Sequence, residues 1–148
     1  APGFKTDWQP LWSTLMTQAE GTSHLHETIM SNRFHYVADL REMGAEIELY
    51  QPEVEDPKTT YNFYLEDDKP DAKHAIAIHG PADLKAGSFE VQDLRHGATL
   101  ITAALAAEGT SYISGAAHVD RGYENLAGRL TSMGAEISRV EEIEERNG

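Results

Sequence analysis

Two stretches of this chain occur twice. AEGTS at 19–23 returns at 107–111, 88 residues on, and MGAEI at 43–47 returns at 133–137, 90 residues on. Between those anchors SNRFHYVADLRE (31–42) lies over VDRGYENLAGRL (119–130), with Arg33 and Arg121 also 88 apart. Punctuation at nearly equal internal coordinates means two units of one architecture, which restricts the fold far more than composition does. The units read as residues 3–50 and 92–140, within one partial domain spanning 1–148. An acidic insert at 51–73 and linking strands at 74–91 separate them, and a charged tail at 141–148 follows.

Each unit carries its own signals. Trp8, Trp12, Leu15 and Ala19 recur at helical spacing, and Gly21 follows where a left-handed cap closes a helix. Residues 22–29 alternate as a strand does. Asn32 is placed to cap a second helix carrying Phe34, Val37, Ala38 and Met43 and ending at Gly44, before a strand at Ile47 and Leu49. In the second unit Asp93 caps a helix through Leu100, Ala104 and Ala107, stopped at Gly109, and a short strand follows at 112–114. Asp120 is then placed to cap a fourth helix through Tyr123, Leu126, Leu130 and Met133, ending at Gly134, with Ile137 in a final strand. Strand, helix, strand order implies crossover connections with helices laid on a sheet, an α/β class. Further strands fit 74–79 and 87–91. Pro52, Pro57 and Pro70 make the insert a loop or extended hairpin, in which YNFYL at 61–65 forms a strand or packs on a neighbour.

A chain of 148 residues suits one domain, although two copies of a unit also read as part of a larger closed structure. It opens at Ala1 rather than Met, which reads as an excised piece. No apolar run reaches membrane-spanning length and there are no cysteines, so a soluble, cytoplasmic chain without disulfides is expected. A net charge of −13 repels nucleic acid and anionic membrane, so any anion site must be local, made of a few arginines and oriented backbone amides.

The chemistry gathers at the predicted helix starts. Arg33 and Arg121 follow predicted caps directly and Arg95 lies two after Asp93, so three of the seven arginines fall in first turns. A cation at the positive end of a helix costs about 0.3–1 kcal/mol when exposed, which invites a compensating anion. Free amides and a guanidinium fork together cradle phosphate or carboxylate. The plainer alternative is that each arginine is solvated or paired with a nearby acid. Asp7, in FKTDWQP, reads either as a helix cap or as a general base for a hydroxyl proton. His24 and His26 share a strand face but lack a third ligand, so no metal site is expected. No GxxxxGK phosphate loop occurs.

PGFKTDWQ, ETIMSNRFHYVADLREMGAEI, DLRHGATLITAALAAEGTSYIS and HVDRGYENLAGRLTSMGAEI together resemble the C-terminal part of UDP-N-acetylglucosamine 1-carboxyvinyltransferase, an enolpyruvyl transferase. The resemblance implies an inside-out α/β barrel, in which helices pack inside against sheets and of which this chain holds two copies of the repeated unit. It implies transfer of enolpyruvyl from phosphoenolpyruvate to the 3′-hydroxyl of UDP-N-acetylglucosamine, the first committed step of peptidoglycan precursor synthesis, with no metal or other cofactor. By position in the matched motifs, Asp7 would be the catalytic base. Arg95 and Arg121 would hold phosphoenolpyruvate, Ile29 would meet the nucleotide sugar through its backbone, and Arg33 would line the cleft. The partners implied are these two substrates and the N-terminal portion of the same enzyme, without which the piece is expected to be inactive. Ser31, His96 and the insert depart from the usual pattern of relatives. Two alternatives stand beside it: an enzyme like 5-enolpyruvylshikimate 3-phosphate synthase, and a non-catalytic sugar-nucleotide binding or regulatory module.

Overall fold

The computed structural model describes residues 4–140. The tail at 141–148 and the first residue of the first unit, Gly3, lie outside the described residues. A 3-10 turn at Thr6–Trp8 runs into α1 (Gln9–Thr17), with Pro10 in its first turn, where a missing N–H costs nothing. Then come β1 (Gly21–His26), α2 (Val37–Glu42) and β2 (Glu46–Tyr50). The insert holds one short helix, α3 (Pro57–Thr60), and leads to β3 (Ala75–Gly80) and β4 (Ser88–Glu90). The second unit contributes α4 (Leu94–Ala106), β5 (Tyr112–Ser114), α5 (Ala117–Asp120) and α6 (Leu126–Ser132). Gly21, Gly44, Gly109 and Gly134 all take φ near +100°, the left-handed conformation that ends each predicted helix.

Both α/β connections are present in different forms. β4 and β5 pair in parallel, Ser88 with Tyr112 through Glu90 with Ser114, and α4 makes the crossover. β1 and β2 flank β3 in the order β1-β3-β2, each antiparallel to it, so α2 crosses over a strand supplied from beyond the insert. As the central strand, β3 is buried from Ala75 through Ile78. The core fills the space around it with Ile76, Ile78, Ile47, Val37, Leu40 and Leu100. α1 lies on β3 closely: a Cβ added at Gly80 would come within 2.3 Å of the carbonyl oxygen of Ala19.

α1 faces a way that its spacing left open, and three expectations need correction. α1 does not bury its aromatic stripe. Trp8, Trp12 and Leu15 are exposed, whereas Gln9, Pro10, Ser13, Thr14 and Thr17 face inward. Those polar groups tolerate burial because they are bonded: Ser13, Thr14 and Thr17 donate to carbonyls of their own helix. Asn32 does not cap α2, which begins at Val37 behind Tyr36 and has no side-chain cap. Burial of Phe34 and Tyr36 outweighs the local capping pattern there. No helix starts at Asp120, which closes α5; the expected helix is reduced to α6, which begins at Leu126 behind Asn125 in the left-handed region at φ 46°. Residues 135–140 form no strand, since no neighbouring strand among the described residues receives their hydrogen bonds. In the insert, YNFYL packs rather than pairing. Tyr61 is buried against Phe63 and His74, and its hydroxyl meets His26 and Gln51.

Candidate functional site

α1 and α4 start at the same end of the molecule, and their beginnings carry opposite charges. Asp7, in the 3-10 turn ahead of α1, places Oδ1 2.7 Å from Nη2 of Arg33 and 2.7 Å from Nε of Arg95. Asp7 and Arg95 are 88 residues apart, the spacing of the sequence repeat. Arg33 lies largely buried, whereas the Asp7 side chain is 55% exposed and open to a ligand. The hydrogen bond from Arg95, helped by the charges of Arg95 and Arg33 against some desolvation, holds Asp7 below the usual carboxylate range.

The start of α4 is tightly tied. Asp93 caps it, its Oδ1 accepting from the backbone N–H groups of Arg95 and His96 at 2.8 and 2.9 Å. Burial works against the charged form of Asp93, but those two amides and the neighbouring His35 and His96 hold its carboxyl below the usual range. His35 brings Nε2 within 3.0 Å of Asp93 Oδ2, near enough for attraction but off the hydrogen-bond direction. His96 is buried and directs Nε2 at Oδ2 of Asp39 on α2, 2.7 Å away.

Glu27 organises the segment beside Asp7. Its carboxylate is 4% exposed. Oε1 accepts from the N–H groups of Ile29 and Met30, and Oε2 accepts from the hydroxyl of Thr6 at 2.6 Å. One side chain therefore shapes the 27–30 loop and anchors the residue before Asp7. Below the site, the Tyr36 hydroxyl lies 3.1 Å from Oε1 of Gln9 and 2.7 Å from Oγ of Ser13, and burial pushes its phenol up.

The structure thus brings together Asp7, Arg33 and Arg95 among the five residues singled out in the sequence. Ile29 sits at the edge, exposed, with its N–H already engaged by Glu27. Arg121 stands apart. It follows α5 rather than starting a helix, it is exposed, and it makes no ion pair among the described residues. The dipole argument fails for it and for Arg33, which precedes α2 by several residues in a loop. Asp120 pairs instead with Arg139, at 2.8 and 2.6 Å. Arg121 nonetheless belongs to a segment packed on the first turn of α4, where a Cβ at Gly122 would lie 2.6 Å from Leu94. Sequence reasoning missed Glu27, Tyr36, Asp39 and His96 as organisers of this region. The visible signal was an acid closing HLHE and a histidine after Arg95; Asp39 lies far along the chain from His96, whereas Glu27 turns mainly on the loop that follows it. Among the described residues no three metal-ligating side chains gather, and no helix is long and apolar enough to cross a membrane.

A family model described as EPSP synthase (3-phosphoshikimate 1-carboxyvinyltransferase) matches residues 1–130. The chain belongs to the EPSP synthase family. Among the curated relatives of this family member, a UDP-N-acetylglucosamine 1-carboxyvinyltransferase from Protochlamydia amoebophila is 40% identical over 141 residues, covering 95% of this chain and 29% of the relative. Another of that name from Chlamydia abortus is 42% identical over 140 residues, covering 92% and 30%. The chain therefore spans less than a third of the length of these relatives. Its fold is similar to that of the enolpyruvyl transferase NikO from Streptomyces tendae, with a TM-score of 0.70 and 25% identity over 92% of this chain and 27% of that one. The mixed α/β class expected from the sequence agrees with this neighbour.

Proposed function

We propose that the chain is the C-terminal part of an enzyme that transfers enolpyruvyl from phosphoenolpyruvate to the 3′-hydroxyl of UDP-N-acetylglucosamine. The observation that carries this reading is the Asp7 carboxylate held between the guanidinium groups of Arg33 and Arg95, an acid–base group beside a ready anion clamp. In the reaction the hydroxyl oxygen bonds to C2 of phosphoenolpyruvate while C3 gains a proton. Loss of that C3 proton and of phosphate then restores the double bond. Asp7 takes the hydroxyl proton, and Arg95 and Arg121 hold the carboxylate and phosphate, with Arg33 lining the cleft and Ile29 against the nucleotide sugar.

The arginines have a second effect. A carboxylate held low is charged at neutral pH but is a weak base. When Arg95 turns to the incoming anion, the hydrogen bond that lowers Asp7 most is lost, and its basicity rises as the hydroxyl is presented. Binding of one substrate thus readies the group that activates the other.

The reading extends to architecture. Residues 3–50 and 92–140 are two copies of the unit of an inside-out barrel, with α1 and α4 as its inner helices, and the remaining copies belong to the longer polypeptide. The exposed face formed by Trp8, Trp12 and Leu15 supports this, because an inner helix keeps an apolar side for a third neighbour. The enzyme works in the cytoplasm in peptidoglycan precursor synthesis. The test is phosphate release by the full-length protein from phosphoenolpyruvate plus UDP-N-acetylglucosamine. Release with shikimate 3-phosphate instead moves the assignment to the other acceptor, and nucleotide-sugar binding without release makes the protein a non-catalytic module. Asp7→Asn in the full-length protein is expected to lower kcat by about 10²–10⁴-fold, as loss of a positioned acid–base group does.

A further inference from the structure

The arginine clamp needs a fixed base, because Arg95 must leave Asp7 to take an anion and still arrive in the right place. Asp7 cannot supply that fixity, since the bond between them is the one that breaks. The support lies one residue on. His96 is 2% exposed. Its Nδ1 accepts the backbone N–H of Gln92 at 3.1 Å, which places the ring proton on Nε2, and Nε2 reaches Oδ2 of Asp39 at 2.7 Å. Asp39 lies in the first turn of α2, directly after the loop that carries Arg33. The His35 ring meets His96 edge-on at 5.5 Å, so that loop touches the clasp as well. Side chains packed on Gly97 leave the turn little freedom, for a Cβ there would lie 2.4 Å from Cγ2 of Val119.

The geometry points to His96 and Asp39 as positioning residues that set the place of Arg95, which takes the anion, against Arg33, which lines the cleft beside it. They touch no substrate. They join the two segments that carry the guanidinium groups, across 57 residues of sequence. This rests on the proposed function for the identity of the anion, though not for the clasp itself. A buried hydrogen-bonded link between two elements holds their relative placement more firmly than surface contacts do, and small misplacements of binding groups cost binding and rate steeply.

The test uses the full-length protein. His96→Ala is expected to raise KM for phosphoenolpyruvate by about tenfold while KM for UDP-N-acetylglucosamine stays within about twofold. His96→Gln, which keeps a donor for Asp39, is expected to recover most of the loss, and Asp39→Asn, which keeps an acceptor, to lose little. Equal loss in alanine and glutamine variants, or equal change in both KM values, overturns the proposal. Inorganic phosphate, titrated calorimetrically, separates it from the functional reading. If the wild-type protein turns over neither acceptor, the function falls, yet weaker phosphate binding by His96→Ala than by wild type or His96→Gln still supports the clasp. Equal phosphate affinity in all three, or none in the wild type, overturns it.

Discussion

Glu27 is the side chain whose loss the site would feel soonest. Its buried carboxylate accepts three bonds, from Thr6, Ile29 and Met30, and has no ion-pair partner among the described residues. Glu27→Ala would leave two amides and a hydroxyl without their acceptor, and it is expected to cost about 3 kcal/mol in urea unfolding. Alongside the exposed Glu108 and Asp120, Asp7 and Asp93 contribute to the acid response. Both are held below the usual carboxylate range, so the unfolded chain takes up protons first as pH falls. Their contribution to stability is complete above the ordinary aspartate range and is lost as pH drops through the lowered folded values. Asp93→Asn keeps a good helix cap, so it should change stability little at neutral pH and flatten the loss below it. Urea midpoints measured across that interval check this; an unchanged acid limb would count against it. Asp7 and Arg95 were legible at this scale as chemistry-bearing residues. Glu27 was not, because nothing in HLHE says that its carboxylate turns back on the next loop.

Among the elements, α1 shows how far periodicity reaches. Helical spacing of Trp8, Trp12 and Leu15 located the helix but not the side it packs with, because Ser13, Thr14 and Thr17 on the inward face bond to carbonyls of their own helix. Tyr36 reads that face through Gln9 and Ser13, and Tyr36→Phe is expected to cost about 1 kcal/mol by chemical denaturation. At α4, where all of His96, Gly97, Ala98, Thr99 and Leu100 are buried, Leu100→Ala should cost about 2–5 kcal/mol, measured in the same way. The glycine stops were legible because a left-handed residue is a local need. The starts of α2 and α5 were not, since long-range burial of Phe34, Tyr36 and Val119 decided them.

For the whole molecule, the chain spans 29% and 30% of the two relatives described above, and its apolar α1 face is open. The isolated chain is therefore expected to release no phosphate from phosphoenolpyruvate and UDP-N-acetylglucosamine under conditions where the full-length protein does. Trp12→Glu should improve the solubility of the isolated chain and destabilise the full-length protein, which sedimentation of the one and thermal melts of the other report. Taken alone, the amino-acid order determined the repeat, the helix stops, the α/β class and which residues carry charge near helix starts, since each follows from local conformation, periodicity or side-chain chemistry. Only the tertiary structure decided that Arg33 and Arg95 share one carboxylate, that Arg121 stands outside the pair, and that β3 slips between β1 and β2. Those outcomes depend on contacts between segments tens of residues apart, where competing burial and hydrogen bonding outweigh any signal carried by neighbours in sequence.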